Sequence, residues 1–312
     1  MIAGADIKTP LVKKAGLTIL KTLAYFDIFE YPLTEKEIKN FLPERVEDSI
    51  FTDTIKQLVL DKVVFSLNGF YALDNNPLKI ERRLEGNMRA RKLLPTALKI
   101  GSFLFKFPYV RGVAISGSLS KNYADKKADI DFFIITKANR LWIARTILHL
   151  FKKITFLVGR QHYYCMNYFI DEEALRIPEK NIYTATEVVT LLPAAGSIAM
   201  NKFFEANEWS KETFPASVAD RTLKISDKTS SLKNFGERVI NWDNLDSFLF
   251  RWTSRRWKKK ETHELKNSKG RVMNLVTGKH FSKSDPEAFQ QKILRLYESK
   301  VKRLADQWPM FP

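Results

Sequence analysis

Two acidic residues separated by one apolar residue are the feature of the sequence best suited to chemistry. Asp129-Ile130-Asp131 leads directly into the apolar run 132–135, which is typical of a buried strand. In a strand, both carboxylates would lie on one side and Ile130 on the other. Neighbouring carboxylates repel each other unless they share a proton or a cation, so the spacing favours a site for Mg²⁺ or Mn²⁺. The alternative is a surface strand with two incidental acids.

A small-residue turn upstream of these acids is the second candidate feature. The apolar run 113–115 ends abruptly at Gly117 and Ser118. A glycine lets the backbone approach a ligand closely, and the N–H groups after it, with the Ser118 hydroxyl, could hold phosphate oxygens. In the following loop, Ser120 and Lys121 could meet the β- and γ-phosphates of a nucleotide, or they could belong to an ordinary solvated loop.

Together the two features resemble a known signature. An apolar run, Gly117-Ser118, ten further residues and then Asp129-Ile130-Asp131 are similar to the motif of the nucleotidyltransferase superfamily related to DNA polymerase β. The resemblance covers residues 105–175. It implies that the turn binds a nucleoside triphosphate such as ATP, and that Asp129 and Asp131 are catalytic residues that bind two divalent metal ions.

The sequence departs from that superfamily at one position. A third carboxylate usually lies on a later strand, and the candidate strand here is 162–171. Its inward-facing position is predicted to be Asn167, an amide that cannot act as a base, and Asp171 near the strand end is a possible substitute. Nucleotide and metal binding are therefore expected, whereas efficient transfer to a hydroxyl is in question. We expect His162 and Cys165 to be structural.

The elements before residue 77 resemble a winged helix-turn-helix domain. Three short helices are predicted at 14–30, 34–41 and 45–62, the second opened by a Thr34 cap. Asn68-Gly69 between two β-rich runs predicts a type I′ hairpin. Such domains often bind DNA, but the third helix carries at least as many acids as bases, so a structural or protein-contacting role is the open alternative.

The predicted fold class is α+β. A chain of 312 residues is long enough for several domains. We expect a winged-helix-like domain at 1–76, and a nucleotidyltransferase domain with a small mixed β-sheet and flanking helices at 77–180. A helical, basic region follows at 181–312. The connector after Pro77 is predicted to be one or two helices interrupted near Pro95.

The C-terminal region is predicted to contain helices broken by Pro193, stopped before Pro215 and followed by a closing helix at 285–304. Asn207 and Trp209 could form the rim of a nucleotide pocket, or Trp209 could pack in the core.

The charge balance favours an anionic partner. The chain has 52 Lys and Arg against 35 Asp and Glu, for a formal net charge of +17. Nucleic acid, a nucleoside triphosphate or an anionic surface would each fit, as would a role in solubility. Residues 251–283 contain eleven Lys or Arg but only two Glu. The basic residues are interleaved with Trp252, Trp257 and Phe281. This segment suits an extended polyanion or a solvated helix face.

The sequence contains no signal-peptide pattern and no apolar stretch of the roughly 20 residues that span a bilayer. Its single cysteine, Cys165, excludes an intramolecular disulfide and a thiolate zinc cluster. We therefore expect a cytoplasmic protein without a membrane partner. The leading hypothesis is transfer of a nucleoside monophosphate from a triphosphate to an unidentified acceptor, with release of pyrophosphate. The alternatives are a nucleic-acid-binding regulator with an impaired transferase domain, and a module that nucleotidylates another protein.

Overall fold

The computed structural model describes residues 3–157, 159, 161–217, 227–240, 242–261, 275–285 and 288–307. Within these ranges the fold is α+β, as the sequence predicts. Its helices are α1 (Ala3–Asp27), α2 (Glu35–Asn40), α3 (Asp48–Leu60), α4 (Pro77–Leu104), α5 (Gly117–Ser120), α6 (Leu141–Phe156), α7 (Ile182–Thr190), α8 (Ser197–Ala206), α9 (Trp209–Thr213), α10 (Ser231–Val239), α11 (Asp243–Glu261) and α12 (Phe289–Gln307). Its strands are β1 (Leu33–Thr34), β2 (Phe65–Leu67), β3 (Phe70–Ala72), β4 (Val110–Ser116), β5 (Asp131–Thr136), β6 (Cys165–Asp171), β7 (Leu192–Ala195), β8 (Leu275–Thr277) and β9 (Phe281–Ser284).

The N-terminal module consists of α1, α2 and α3 with a three-stranded sheet in the order β1-β3-β2. Thr34 caps α2 through a capping box, in which its hydroxyl accepts from the Glu37 N–H and its own N–H donates to the Glu37 carboxylate. Asn68 and Gly69 both have positive φ, as a type I′ hairpin requires. The predicted helices and hairpin are therefore confirmed, although α1 starts earlier than predicted; the winged-helix class itself stays a prediction.

The C-terminal helix α12 packs against α1 of this module. Ile293 is buried in the apolar core of the module, and Lys300 forms an ion pair with Asp27 on α1. The sequence predicts the helix but not its partner. The last described helix of the chain thus completes the core of the N-terminal module.

The connector helix α4 runs unbroken from Pro77 to Leu104, so the predicted interruption near Pro95 is wrong. One side of α4 packs against the central sheet so closely that a Cβ at Gly101 would lie 2.4 Å from the Cβ of Ala194. Such packing offsets the roughly 3 kcal/mol that an internal proline costs a helix.

The central sheet has six strands in the order β7-β4-β5-β6-β9-β8. Strands β5 and β6 are parallel and are connected by α6, while the other pairs are antiparallel. Side chains of β5 alternate between the faces: Phe132 and Ile134 join a core with α4 and α6, whereas Phe133 and Ile135 join a core with α7 and α8. The sheet is therefore covered by helices on both faces.

The region after residue 180 is not purely helical, which corrects the prediction. Pro193 does not simply break a helix but lies in β7, an edge strand, where a missing N–H is tolerated. Strands β8 and β9 also come from this region and extend the sheet beyond β6. The three proposed domain limits stay predictions. Among the described residues, no helix combines the length and apolar character needed to cross a membrane.

Candidate active site

The turn after β4 lies directly against the start of β5. The two strands are antiparallel, and Ser116 is paired with Asp131. Gly117 has φ +66°, and a Cβ at this position would lie 2.5 Å from Oδ2 of Asp131. Any side chain at residue 117 would therefore collide with the carboxylate, in addition to straining the backbone. The structure brings the glycine-serine turn and the second acid into contact.

The loop residues that could hold phosphates adopt different roles. Ser118 is exposed at the start of the single-turn helix α5. Ser120 is turned inward, with its hydroxyl donating to the Gly117 carbonyl at 2.9 Å. The ammonium group of Lys121 donates to the same carbonyl at 3.1 Å and forms an ion pair with Glu187 at 2.9 Å. Ser118 and Lys121 are thus placed beside the turn, whereas Ser120 stabilises it.

Asp131 carries a poorly compensated negative charge. Asn167 donates its amide to Oδ1 of Asp131 at 2.6 Å. Burial, followed by the negative charge of Asp129, raises the pKa of Asp131 to about 6. The charge of Asp129 thus acts on Asp131, and Ile130 between them is buried in the core on the other face of the sheet. A bound cation would relieve this repulsion.

His162 reaches the site, although a structural role is predicted for it from the sequence. Its Nδ1 lies 2.7 Å from Oδ1 of Asp129, and more than half of its side chain is exposed. The parallel register that pairs Asp131 with Cys165 also brings the residues just before Cys165 to the level of Asp129. If parallel pairing of these two strands had been predicted, His162 could have been expected next to Asp129.

Asn167 and Asp171, the two candidates for the third position, lie far apart in the sheet. Asn167 contacts Asp131. Asp171 pairs in register with Thr136, at the other end of β5. Its buried carboxylate accepts from the Asn139 N–H at 3.0 Å and contacts His280 at 2.9 Å. Asp171 is therefore not brought to the acid pair, because its side chain is used to join two loops.

Three further residues surround the acid pair. Glu187 on α7 adds to the negative field that raises the pKa of Asp131, after burial and Asp129. Lys152 near the end of α6 opposes that effect, and its ammonium group lies 3.7 Å from the Cys165 sulfur. Burial raises the pKa of Cys165 to about 11, so its thiol is protonated near neutral pH, in keeping with a non-reactive role.

The N-terminal module touches the site through Tyr31. The Tyr31 hydroxyl donates to the Lys121 carbonyl at 2.8 Å, and its ring meets the edge of Tyr123 at 5.9 Å between centroids. Behind it, the guanidinium of Arg83 forms an ion pair with Glu37 at 2.6 Å and lies 4.1 Å from the Tyr31 ring centre. The position of the loop that carries Lys121 therefore depends on the module.

Three residues outside this cluster lie in the interior or face solvent. Asn207 is fully buried and accepts from the Ile177 N–H at 2.8 Å and from the Trp209 indole at 3.2 Å. Both Asn207 and Trp209 therefore pack in the interior, and their proposed place at a pocket rim is wrong. The Asp125 carboxylate is largely exposed and accepts from the Tyr123 hydroxyl at 2.9 Å.

Among the described residues, no group of three or more His, Cys, Asp and Glu side chains is arranged to hold a metal ion. No curated protein and no solved structure gives a significant match to the chain. Residues 97–190, which include the turn, both acids and Glu187, match the family model described as "Nucleotidyltransferase domain", in agreement with the resemblance that the sequence pattern indicates.

Proposed function

We propose that the protein transfers a nucleoside monophosphate from a nucleoside triphosphate, such as ATP, to an unidentified acceptor with release of pyrophosphate. The observation that carries the proposal is the contact between Gly117 and the Asp131 carboxylate, which leaves no room for a side chain. A phosphate-binding turn and a pair of acids at one point of the sheet suit a metal-bound triphosphate. The family match over residues 97–190 supports nucleotidyl transfer in general.

The residues present fit a divalent cation. Asp129 and Asp131 would supply oxygen ligands; burial, followed by the charge of Asp129, raises the pKa of Asp131, and a cation would neutralise that charge. Two carboxylates are enough because Mg²⁺ in nucleotide sites usually takes its other ligands from phosphates and water. When bound, Mg²⁺ or Mn²⁺ would neutralise the charge of the triphosphate and align the attacking oxygen with the α-phosphate.

Each neighbouring side chain has a defined task in this proposal. Asn167 holds Oδ1 of Asp131, so Oδ2 lies at the Gly117 turn, and His162 holds one oxygen of Asp129. The N–H groups after Gly117 and the exposed Ser118 hydroxyl would bind phosphate oxygens. Lys121 would exchange its ion pair with Glu187 for one with the triphosphate, because the triphosphate carries more charge.

The proposal is tested by calorimetry with each of the four nucleoside triphosphates and Mn²⁺, together with an assay of pyrophosphate release. Asp129→Ala and Asp131→Asn should abolish metal-dependent binding. Asp125→Ala removes an exposed acid from the same loop and is the matched control. Wild-type affinity in the Asp131→Asn variant would contradict the metal assignment.

Asn167 favours a second candidate function, a nucleic-acid-binding regulator in which the domain binds nucleotides but transfers slowly. An amide beside Asp131 cannot accept the proton of an acceptor hydroxyl. Asn167→Asp should raise turnover if this position is the missing third acid, and unchanged turnover would exclude that explanation.

The N-terminal module would serve the regulator as a winged helix that binds DNA. Duplex binding measured against salt concentration tests this role, because a slope near zero removes phosphate contacts from consideration. The acceptor in the transferase proposal, whether a small molecule, a nucleic acid or another protein, is identified by supplying each class with labelled triphosphate.

A further inference from the structure

Helix α11 exposes a face on which aromatic and guanidinium side chains alternate. Phe248 and Trp252 are 56% and 50% exposed, and Arg251, Arg255 and Arg256 are exposed beside them. Residues three, four, seven and eight positions apart lie on one side of a helix, so these five side chains form one surface. We call it the α11 face.

The opposite side of α11 anchors the helix without help from these exposed rings. Asp246 accepts from the Ile143 N–H at 2.9 Å and so caps the start of α6. Phe250 packs on Trp142 with ring centroids 5.2 Å apart, and Thr253 is buried. The fold therefore does not explain two large rings directed to solvent, and contiguous exposed apolar surface is a common mark of a binding site.

The chemistry of the α11 face favours a strand with flat bases and a charged backbone. The guanidinium of Arg256 lies 5.4 Å from the centre of the Trp252 ring, and no exposed acid occurs between residues 244 and 258. Arginine and aromatic side chains share this face. A helix lying in a membrane surface separates its apolar side from its charged side, so the mixture favours stacking bases and phosphates over lipid.

A basic cavity beside the first turn of α11 extends the same surface. It has a volume of about 380 Å³ and is lined by Lys137, Arg140 and Lys279, with Ser247 next to Phe248. The one carboxylate in its lining, Asp246, already accepts from the start of α6. The excess of cations suits a phosphate group.

We propose that the α11 face and this cavity bind single-stranded nucleic acid. Bases stack on Phe248 and Trp252, and backbone phosphates meet Arg251, Arg255 and the cavity. The Asp246 contact lies at the start of α6, whereas Lys152 near the acids lies close to its end. The surface therefore anchors a strand away from the acid pair, and the proposal does not depend on nucleotidyl transfer.

Fluorescence anisotropy of a labelled oligothymidylate with the full chain tests the proposal at several salt concentrations. Phe248→Ala and Trp252→Ala should each weaken binding about tenfold, because a stacked base is lost. The double variant Arg251→Gln/Arg255→Gln should lower the slope of log affinity against log salt by about 1.4, the loss of two phosphate contacts. These side chains are exposed, so the variants should keep the wild-type melting temperature.

Arg91→Gln/Lys92→Gln on the exposed surface of α4 is the control, with the same loss of charge. An equal loss of affinity in this control would overturn the proposal, as would wild-type binding by the aromatic variants. Tighter binding of duplex would exclude stacking, and binding to anionic vesicles that depends on Trp252 would assign the face to a membrane. Asp129→Ala should bind the strand normally, so a failed transfer assay leaves this test intact.

Discussion

Asp131 and Asp171 occupy opposite ends of two paired strands and differ in how their charges are compensated. Asp171 is fully buried, and it accepts from the N–H groups of Asn139 and Glu173 and contacts His280. Asp131 has the Asn167 amide as a partner but also faces the charge of Asp129, and its pKa is raised. Position on a strand therefore does not identify a functional acid. The two acids differ in how their charges are compensated, and this difference favours Asp131 as the acid that would bind a cation.

The largest expected difference between the two acids is in transfer. Asp131→Asn should lower the rate of nucleotidyl transfer at least ~100-fold, because a carboxylate ligand of the metal is lost. Asp171→Asn should change the rate by less than about threefold below its melting temperature, since it removes no group that contacts substrate. Steady-state assays of pyrophosphate release check both values. Equal losses of transfer rate in the two variants would contradict a role in transfer for Asp131 that Asp171 lacks.

The free energy of unfolding should be lowered by the substitution of Asp171 and not by that of Asp131. Asp171→Asn should lower the free energy of unfolding by about 2 kcal/mol, because buried donors lose an acceptor. Asp131→Asn should raise it by about 2 kcal/mol at about pH 8, because it removes a buried charge. Urea unfolding of the two variants and wild type measures both effects. A destabilised Asp131→Asn variant would show that this carboxylate supports the fold.

The gain in Asp131→Asn should also depend on pH. The fold raises the pKa of Asp131 from 3.8 to about 6, so the protonated acid is favoured in the folded state. The stabilisation that the protonated Asp131 contributes is fully present below pH 3.8 and is lost as the pH rises through about 6. The advantage of the variant should therefore appear between these two values. A constant advantage across the range would exclude titration of Asp131 as its cause.

His162 should have a smaller effect, confined to the acid pair. His162→Ala should weaken Mn²⁺ binding about tenfold, because the imidazole orients the Asp129 carboxylate. His280→Ala, which removes the corresponding contact of Asp171, is the matched control and should leave Mn²⁺ affinity unchanged. Calorimetry compares the two variants, and a loss of Mn²⁺ affinity in both would mean that the effect is not local.

The smallest expected effect concerns the N-terminal module. Tyr31→Phe removes the hydrogen bond to the Lys121 carbonyl and should weaken triphosphate binding about threefold. Mn²⁺ binding without nucleotide should be unchanged, because Tyr31 does not contact the acids. A change in metal affinity alone would place the influence of the module at Asp129 or Asp131 instead.

The sequence predicts those features that follow local rules. Gly117, Asn68-Gly69 and the Thr34 cap depend on turn or helix-end chemistry within a few residues, and the structure contains each of them. The placement of Asp131 follows from strand periodicity, which needs no knowledge of the partner strands. These elements could be predicted because each carries its own conformational preference.

Features that depend on distant contacts could not be predicted. Strands β8 and β9 are short: β9 acquires its conformation by pairing with β6, and β8 by pairing with β9. Glu187 acts on Asp131 only because α7 packs on the sheet, and Pro95 stays helical because α4 is held by the same sheet. In each case tertiary packing outweighs local propensity. The recognition of Asp171 as structural likewise requires its partner, His280, from the C-terminal region.

We propose that the Gly117-Ser118 turn and the Asp129-Asp131 pair together hold a metal-bound triphosphate. The most direct measurement is the anomalous scattering of Mn²⁺ in crystals grown with a non-hydrolysable triphosphate. We expect a manganese peak about 2 Å from oxygens of both acids, with phosphates on the N–H groups after Gly117. A triphosphate bound elsewhere, or a manganese peak that contacts neither acid, would contradict this assignment of the site.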